Sequence, residues 1–342
     1  MYGESEQAGT IDWLMSGDPS IAYQTARDLL EEDRPDLQQE IPKSGWGKAL
    51  LNARNANGGW GDSYYTPKWA CTHYVLLDLV NMSFPSDQAG IQQLVQKIAR
   101  QNIAHDGGLG VLPDEKKSDT CITAVFLNVA CYFGLPEDHL KTFIDFLIAH
   151  QISDGGFNCQ VNRSGCRSSS LHSTISVLEA LQRLEENAYQ YRRSELQVIA
   201  EAARAFIRRH RFFRSERTGQ VIHPSFLKLP YPTRWYYNIL RGLDHFRAAN
   251  QDHDASMDGA LKELSSLQRA DGRWPRMAKI PGQAILDFET GHGASRWNTL
   301  LILRVLKHFS NAEKEVTPAA SFSDSDPSDH ADGSPQPAQT AK

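Results

Sequence analysis

Gln151-Ile152-Ser153-Asp154-Gly155-Gly156-Phe157 is a glycine-rich turn, and it leads into an apolar run, Thr174-Ile175-Ser176-Val177-Leu178-Glu179-Ala180-Leu181. The same pairing recurs along the chain. Upstream, Gln101 precedes Asp106-Gly107-Gly108-Leu109-Gly110, and Thr123-Ala124-Val125-Phe126-Leu127-Asn128-Val129 follows. Further upstream, Asn57-Gly58-Gly59-Trp60-Gly61 leads to Thr72-His73-Tyr74-Val75-Leu76-Leu77-Asp78-Leu79. Downstream, Gln268 precedes a degenerate copy, Asp271-Gly272-Arg273-Trp274. The first three turns are spaced by about 50 residues, the length of a helical hairpin with its loops. The longer gap before the last copy is expected to hide one decayed unit, with Thr218-Gly219-Gln220-Val221 near its middle.

The runs after the turns are apolar on more than one face, as an inner helix packed on both sides must be. Two later segments end in the same cadence, Leu240-Arg241-Gly242-Leu243 and Leu303-Arg304-Val305-Leu306. Between them lie amphipathic stretches such as Glu195 to Arg209 and Met257 to Gln268, which read as outer helices. Strand-like alternation is sparse. The expectation is an all-α fold whose inner helices start near residues 69, 119, 171, 234 and 296, all at one end.

Composition narrows the class. A hydrophobic content of 40% supports a sizeable core, and a net charge of −5 lacks the basic excess of a nucleic-acid binder. No run of about 18 apolar residues reads as a membrane span, although peripheral membrane contact stays open. The first residues show no basic, apolar leader, and the five cysteines are odd in number. Reduced thiols in the cytoplasm are therefore expected. Residues 1–313 read as one repeat domain, and 314–342, rich in Ser, Asp and Pro, as a disordered tail.

Periodicity does not choose between an open solenoid and a closed ring. Here the Gln-then-Asp-Gly-Gly-aromatic turn before an apolar inner helix resembles the repeat of squalene cyclases and protein prenyltransferase β subunits, over roughly residues 10 to 310. The resemblance implies a closed α/α barrel, or toroid, of about five to six helical hairpins.

Aligning the inner helices on Thr72, Thr123 and Thr174 places Ala70, Cys121, His172, Arg234 and Trp297 at one equivalent position. In a closed barrel Cys121 and His172 then become neighbours, with Asp119 two residues before Cys121. These three offer O, S and N donors and leave a fourth position open, as in catalytic zinc sites. Protein prenyltransferase β subunits, which the motif resembles, bind zinc through an Asp-x-Cys pair and a His one helix on. Asp119-Thr120-Cys121 and His172 match that pattern, and Cys159 is an alternative ligand. Each residue also has an ordinary reading: Asp119 as a helix cap, Cys121 as a small buried hydrophobe, His172 as a hydrogen-bonded pocket residue.

Basic residues recur at the same helix starts, namely Lys68, Lys116, Lys117, Arg163, Arg167, Arg234 and Arg296. Lys68, Lys116, Arg167, Arg234 and Arg296 are the expected diphosphate ligands. Lys68 falls where the resembled β subunits carry a diphosphate-binding His. Trp69, Trp235, Tyr236, Tyr237 and Trp297 are expected to line a cavity for an isoprenoid chain. Neither the Asp-x-Asp-Asp acid motif of squalene-hopene cyclases nor an Asp-Asp-x-x-Asp motif occurs. No partner subunit of the α type is evident. The resulting expectation is a zinc-dependent prenyltransferase-like enzyme acting on an isoprenoid diphosphate. A cyclase relative without the usual acid, or a barrel that binds a lipid or peptide without turnover, remain the alternatives.

Overall fold

The structure is a computed structural model, and it describes residues 4–112 and 114–315. The chain is all-α. Its helices are α1 (Glu4–Met15), α2 (Pro19–Thr25), α3 (Pro35–Glu40), α4 (Gly45–Asn52), α5 (Thr72–Asn81), α6 (Ala89–Gln101) and α7 (Thr120–Tyr132). They continue with α8 (Lys141–Ala149), α9 (Gln160–Ser164), α10 (Leu171–Glu186), α11 (Arg193–Arg209), α12 (Ile239–Ala248), α13 (Asp258–Ser266) and α14 (Arg296–Glu315). Among the described residues β structure is limited to isolated bridges. The tail expected after residue 313 lies outside the described residues from position 316 onward.

Each glycine turn is built the same way, for a reason the sequence states. The first glycine, Gly58, Gly107, Gly155 or Gly272, has φ between +74° and +94°, a region that L side chains avoid. The second is crowded. A Cβ at Gly59, Gly108 or Gly156 would come within 2.6 Å of Thr72, Ser118 or Ser169. The preceding Asn57, Asp106, Asp154 or Asp271 accepts the backbone N–H two residues on, at 2.9 to 3.3 Å. The next residue, Trp60, Leu109, Phe157 or Trp274, donates its N–H to Thr72, Thr123, Thr174 or Thr299 at 2.8 to 3.0 Å. The recurring Thr therefore ties each turn to its own inner helix.

The inner helices are α5, α7, α10, α12 and α14. Nearly every residue of α5 and α7 is buried, whereas the outer helices bury one stripe, as Leu196, Ile199, Ala203 and Phe206 do on α11. Packing runs from α5 to α7, α10, α12 and α14, and α14 then lies against α2. Gln24 of α2 reaches the Asn81 carbonyl at the end of α5 at 2.9 Å, so the contacts return to where they began.

Helix starts meet starts and ends meet ends. Tyr237, before α12, donates its N–H to His172 on α10 at 2.7 Å. At the other end Asn187 bonds the Cys131 carbonyl at 2.5 Å and His308 contacts the Gln251 carbonyl at 3.2 Å. The starts fall at 72, 120, 171, 239 and 296. The fourth lies five residues beyond the expected 234 because Asn238, and not the Arg234 region, caps α12 by accepting the Arg241 N–H at 2.9 Å. In the fourth unit Phe212 and Phe213, both fully buried, follow the end of α11. A short bridge between Arg214 and Val221 follows, with Thr218-Gly219 between them.

Candidate functional site

Two cysteines meet at the end where the inner helices start. Cys121 lies in the first turn of α7, and Cys159 follows the third glycine turn, just before α9. Their sulfurs are 2.6 Å apart. Cys159 Sγ also accepts the Cys121 backbone N–H at 3.1 Å and the Ser173 hydroxyl at 3.3 Å. Hydrogen bonding splits the pair. Donating to Cys159, together with burial, pushes the Cys121 thiol up, while accepting from Cys121 pulls Cys159 below the ordinary cysteine value despite its burial.

The other two expected ligands stand with other partners. Asp119 occupies the N-cap position of α7 without capping it. Its carboxylate takes Arg163 Nε and Nη2 at 2.6 and 2.8 Å, and burial raises its pKa against that pairing. His172 Nδ1 accepts the Tyr237 N–H, and the ring stands edge-on to Phe226, Trp235 and Tyr236. Burial, helped by the charges of Arg241 and His223, lowers His172 to about 4, so its imidazole is neutral at pH 7. Among the described residues no group of three or more His, Cys, Asp or Glu side chains is placed to hold a metal ion. Cys121 and Cys159 come together; Asp119 and His172 are not gathered with them into such a group.

The basic residues divide in the same way. Arg234 is buried, bonds Asp78 at 2.6 Å and lies 5.8 Å over Trp69. Lys68 lies over Tyr65 and Trp69. Arg296 turns away, stacking on Trp13 and donating to its carbonyl at 3.1 Å. Lys117 reaches the Asn162 carbonyl at 2.8 Å, and Lys116 and Arg167 are exposed. Of Lys68, Arg234 and Arg296, it is Arg234 that lines the two cavities described below.

Three of the expected aromatics gather. Trp69 forms a buried cluster with Cys71, Tyr74, Leu77 and Val125, and Tyr65, Trp235, Tyr236 and Ile280 pack against it. Trp235 and Tyr236 are stacked at 4.0 Å. Tyr237 and Trp297 lie elsewhere. The Tyr237 hydroxyl holds the Phe212 carbonyl at 2.6 Å, and Trp297 stacks on Tyr231 at 4.3 Å. Beside the cluster is a cavity of about 540 Å³ roofed by residues 276–293. That segment is strapped to the first unit through the Trp69 indole, which donates to the Pro281 carbonyl at 2.8 Å, and through the Gln283 N–H, which bonds the Lys68 carbonyl at 3.0 Å.

No protein-family model matches the chain, and no curated protein matches it. The resemblance therefore rests on the motif residues themselves.

A second cavity, of about 470 Å³, runs toward the other end of the inner helices. Seven residues past the aligned helix-start position stand Leu77, Asn128, Glu179, Arg241 and Arg304, all lining it. In α7, α10 and α14, which contain both positions, two helical turns separate them, so they share a face. Arg241 makes a paired bond to both Glu179 oxygens at 2.7 Å. Arg304 bonds Asp28 at 2.8 Å and also holds Asp244, which Arg247 contacts at 2.8 Å. Burial would push Asp244 up, but Arg304 and Arg247 hold it well below the carboxylate range. In the sequence these residues show only as polar positions recurring inside apolar helices.

Proposed function

We propose that the chain is a closed α/α barrel acting as a zinc-dependent transferase on an isoprenoid diphosphate, at the end where the inner helices start. The observation that carries this reading is the meeting of the Cys121 and Cys159 sulfurs at the start of α7, beside an aromatic cluster. The donor types suit zinc: two sulfurs, the Nε2 of a neutral His172 and, once released from Arg163, the Asp119 carboxylate. Bound there, zinc would hold an acceptor thiol as its thiolate. Trp69, Tyr74, Trp235 and Tyr236 offer an apolar surface for the prenyl chain, and Arg234, which lines the cavity beside them, would offer positive charge to the leaving diphosphate.

Elemental analysis of the purified chain, run with Cys121→Ser and Cys159→Ser, tests the metal. About one zinc per chain, lost in either variant, is the expected outcome, and metal-free wild-type protein overturns it. Transfer of label from a radiolabelled prenyl diphosphate tests the chemistry.

A second reading, a barrel that binds a polar ligand without turnover, draws on the other cavity. Its walls are charged, and Trp297 Nε1 and His245 Nε2 line it buried and without a hydrogen-bond partner. Ligand binding by metal-free protein, with no product formed, favours this reading.

A further inference from the structure

We infer that Cys121 and Cys159 form a reversible intramolecular disulfide, so that the site carries a redox switch. The geometry is already that of a reacting pair. The sulfurs stand 2.6 Å apart, and the bond needs them to close to about 2.05 Å. The residues are 38 apart in sequence, on α7 and on the loop after the third turn, so the link would pin that loop to the helix. Three donors converge on Cys159 Sγ: the Cys121 N–H in the first turn of α7, the Ser173 hydroxyl and the Cys121 thiol. These contacts hold Cys159 Sγ facing Cys121 Sγ. Both residues are partly exposed, whereas Cys71 and Cys131 are buried. Cys166 is directed to the Ser168 carbonyl at 3.4 Å.

The oxidant is a low-molecular-weight disulfide such as oxidised glutathione. The Cys159 thiolate attacks one of its sulfurs, forming a mixed disulfide and releasing one glutathione thiolate. That thiolate takes the Cys121 proton. Cys121 Sγ then attacks Cys159 Sγ, breaks the mixed disulfide and releases a second glutathione thiolate, which takes up the proton that Cys159 had given to solvent. Two protein thiols lose two electrons, and one small disulfide becomes two thiols. The pairing itself needs no metal. Its consequence, expulsion of a bound zinc, rests on the zinc reading.

The full chain is incubated with oxidised glutathione, before and after treatment with a chelator. It is then quenched in acid, unfolded and alkylated, and its mass and bound metal are measured. Of the five cysteines, three are expected to alkylate after oxidation, with a peptide joining Cys121 to Cys159. Cys121→Ser should instead keep one glutathione on Cys159, and Cys166→Ser should behave like wild type. Wild-type protein that still alkylates at all five, with or without chelator, overturns the inference, as does a disulfide mapped to another pair. The wild-type mapping stands even where a variant fails to fold. A Cys121–Cys159 disulfide in protein that never held metal keeps the switch and removes the zinc reading. Metal that is present, with thiols that resist oxidation after its removal, does the reverse.

Discussion

The two ends of the inner helices are held by different physics. At the starting end, order comes from backbone: glycines at positive φ, Asx-type acceptors and a Thr hydroxyl, each acting within one unit and repeated in the next. At the other end, order comes from long-range ion pairs such as Arg304 with Asp28 and Asp244, whose partners lie 276 and 60 residues away. The repeated device leaves side chains at the starting end free to differ from unit to unit, and there Cys121, His172 and Arg234 stand at one equivalent position. The paired charges are each unique and can be changed only together.

That contrast can be broken most forcefully at Arg304. Arg304→Met should leave Asp28 with Arg27 alone and Asp244 with Arg247 alone, at a cost of about 3 kcal/mol, the low end for breaking a buried pair. Thermal or urea unfolding would read it. A loss below about 1 kcal/mol would mean that the charged end does not hold the fold together. Asp244 gives the matching pH dependence. Its folded pKa is depressed, so its contribution is complete above the unfolded carboxylate value and is lost as pH falls toward the folded one.

Histidines sharpen the comparison next. Burial holds His73, His172 and His245 at about 3, 4 and 3 in the folded chain. Between pH 6.5 and about 4 the unfolded chain binds protons that the folded chain refuses. Stability should therefore fall as pH drops through that window and be fully regained above it. His245→Gln, at the charged end, should flatten the pH–stability curve; a curve unchanged in slope would refute the assignment.

At the repeated end the effects are smaller. Thr174→Val should cost roughly 1–2 kcal/mol, because the Phe157 N–H loses its buried acceptor. Thr123→Val should match it, and a large disparity would break the equivalence of the units. Smallest of all is Arg163→Gln. Arg163 is half-exposed, so stability should change by no more than about 1 kcal/mol. Zinc affinity should nevertheless rise if Asp119 becomes available as a ligand, which a metal titration would read.

The repeated end was legible in the sequence because its devices are local. Asp-Gly-Gly spells a turn and the recurring Thr marks the register, so four of the five helix starts fall within three residues of expectation. The fourth did not, since its cap is Asn238 and no Asp-Gly-Gly turn precedes it. Register singles out Cys121 and His172 in the sequence, but it does not gather them into one metal-holding group in the structure. The approach of Cys159 to Cys121 depended on the path of a loop, for which periodicity offers no rule. The charged end was illegible in a different way. Arg241 and Arg304 were read only as part of an apolar cadence, because their partners lie on other helices.

The strap between residues 281–283 and Lys68-Trp69 joins the last unit to the first. An open array of repeats tolerates the gain or loss of a unit, since each end is merely capped again. Here an inserted hairpin would have to preserve both the strap and the contact of α14 with α2, a constraint that an open array does not carry. Gaining a unit therefore disturbs two long-range contacts at once, whereas a single substitution around the starting end disturbs neither.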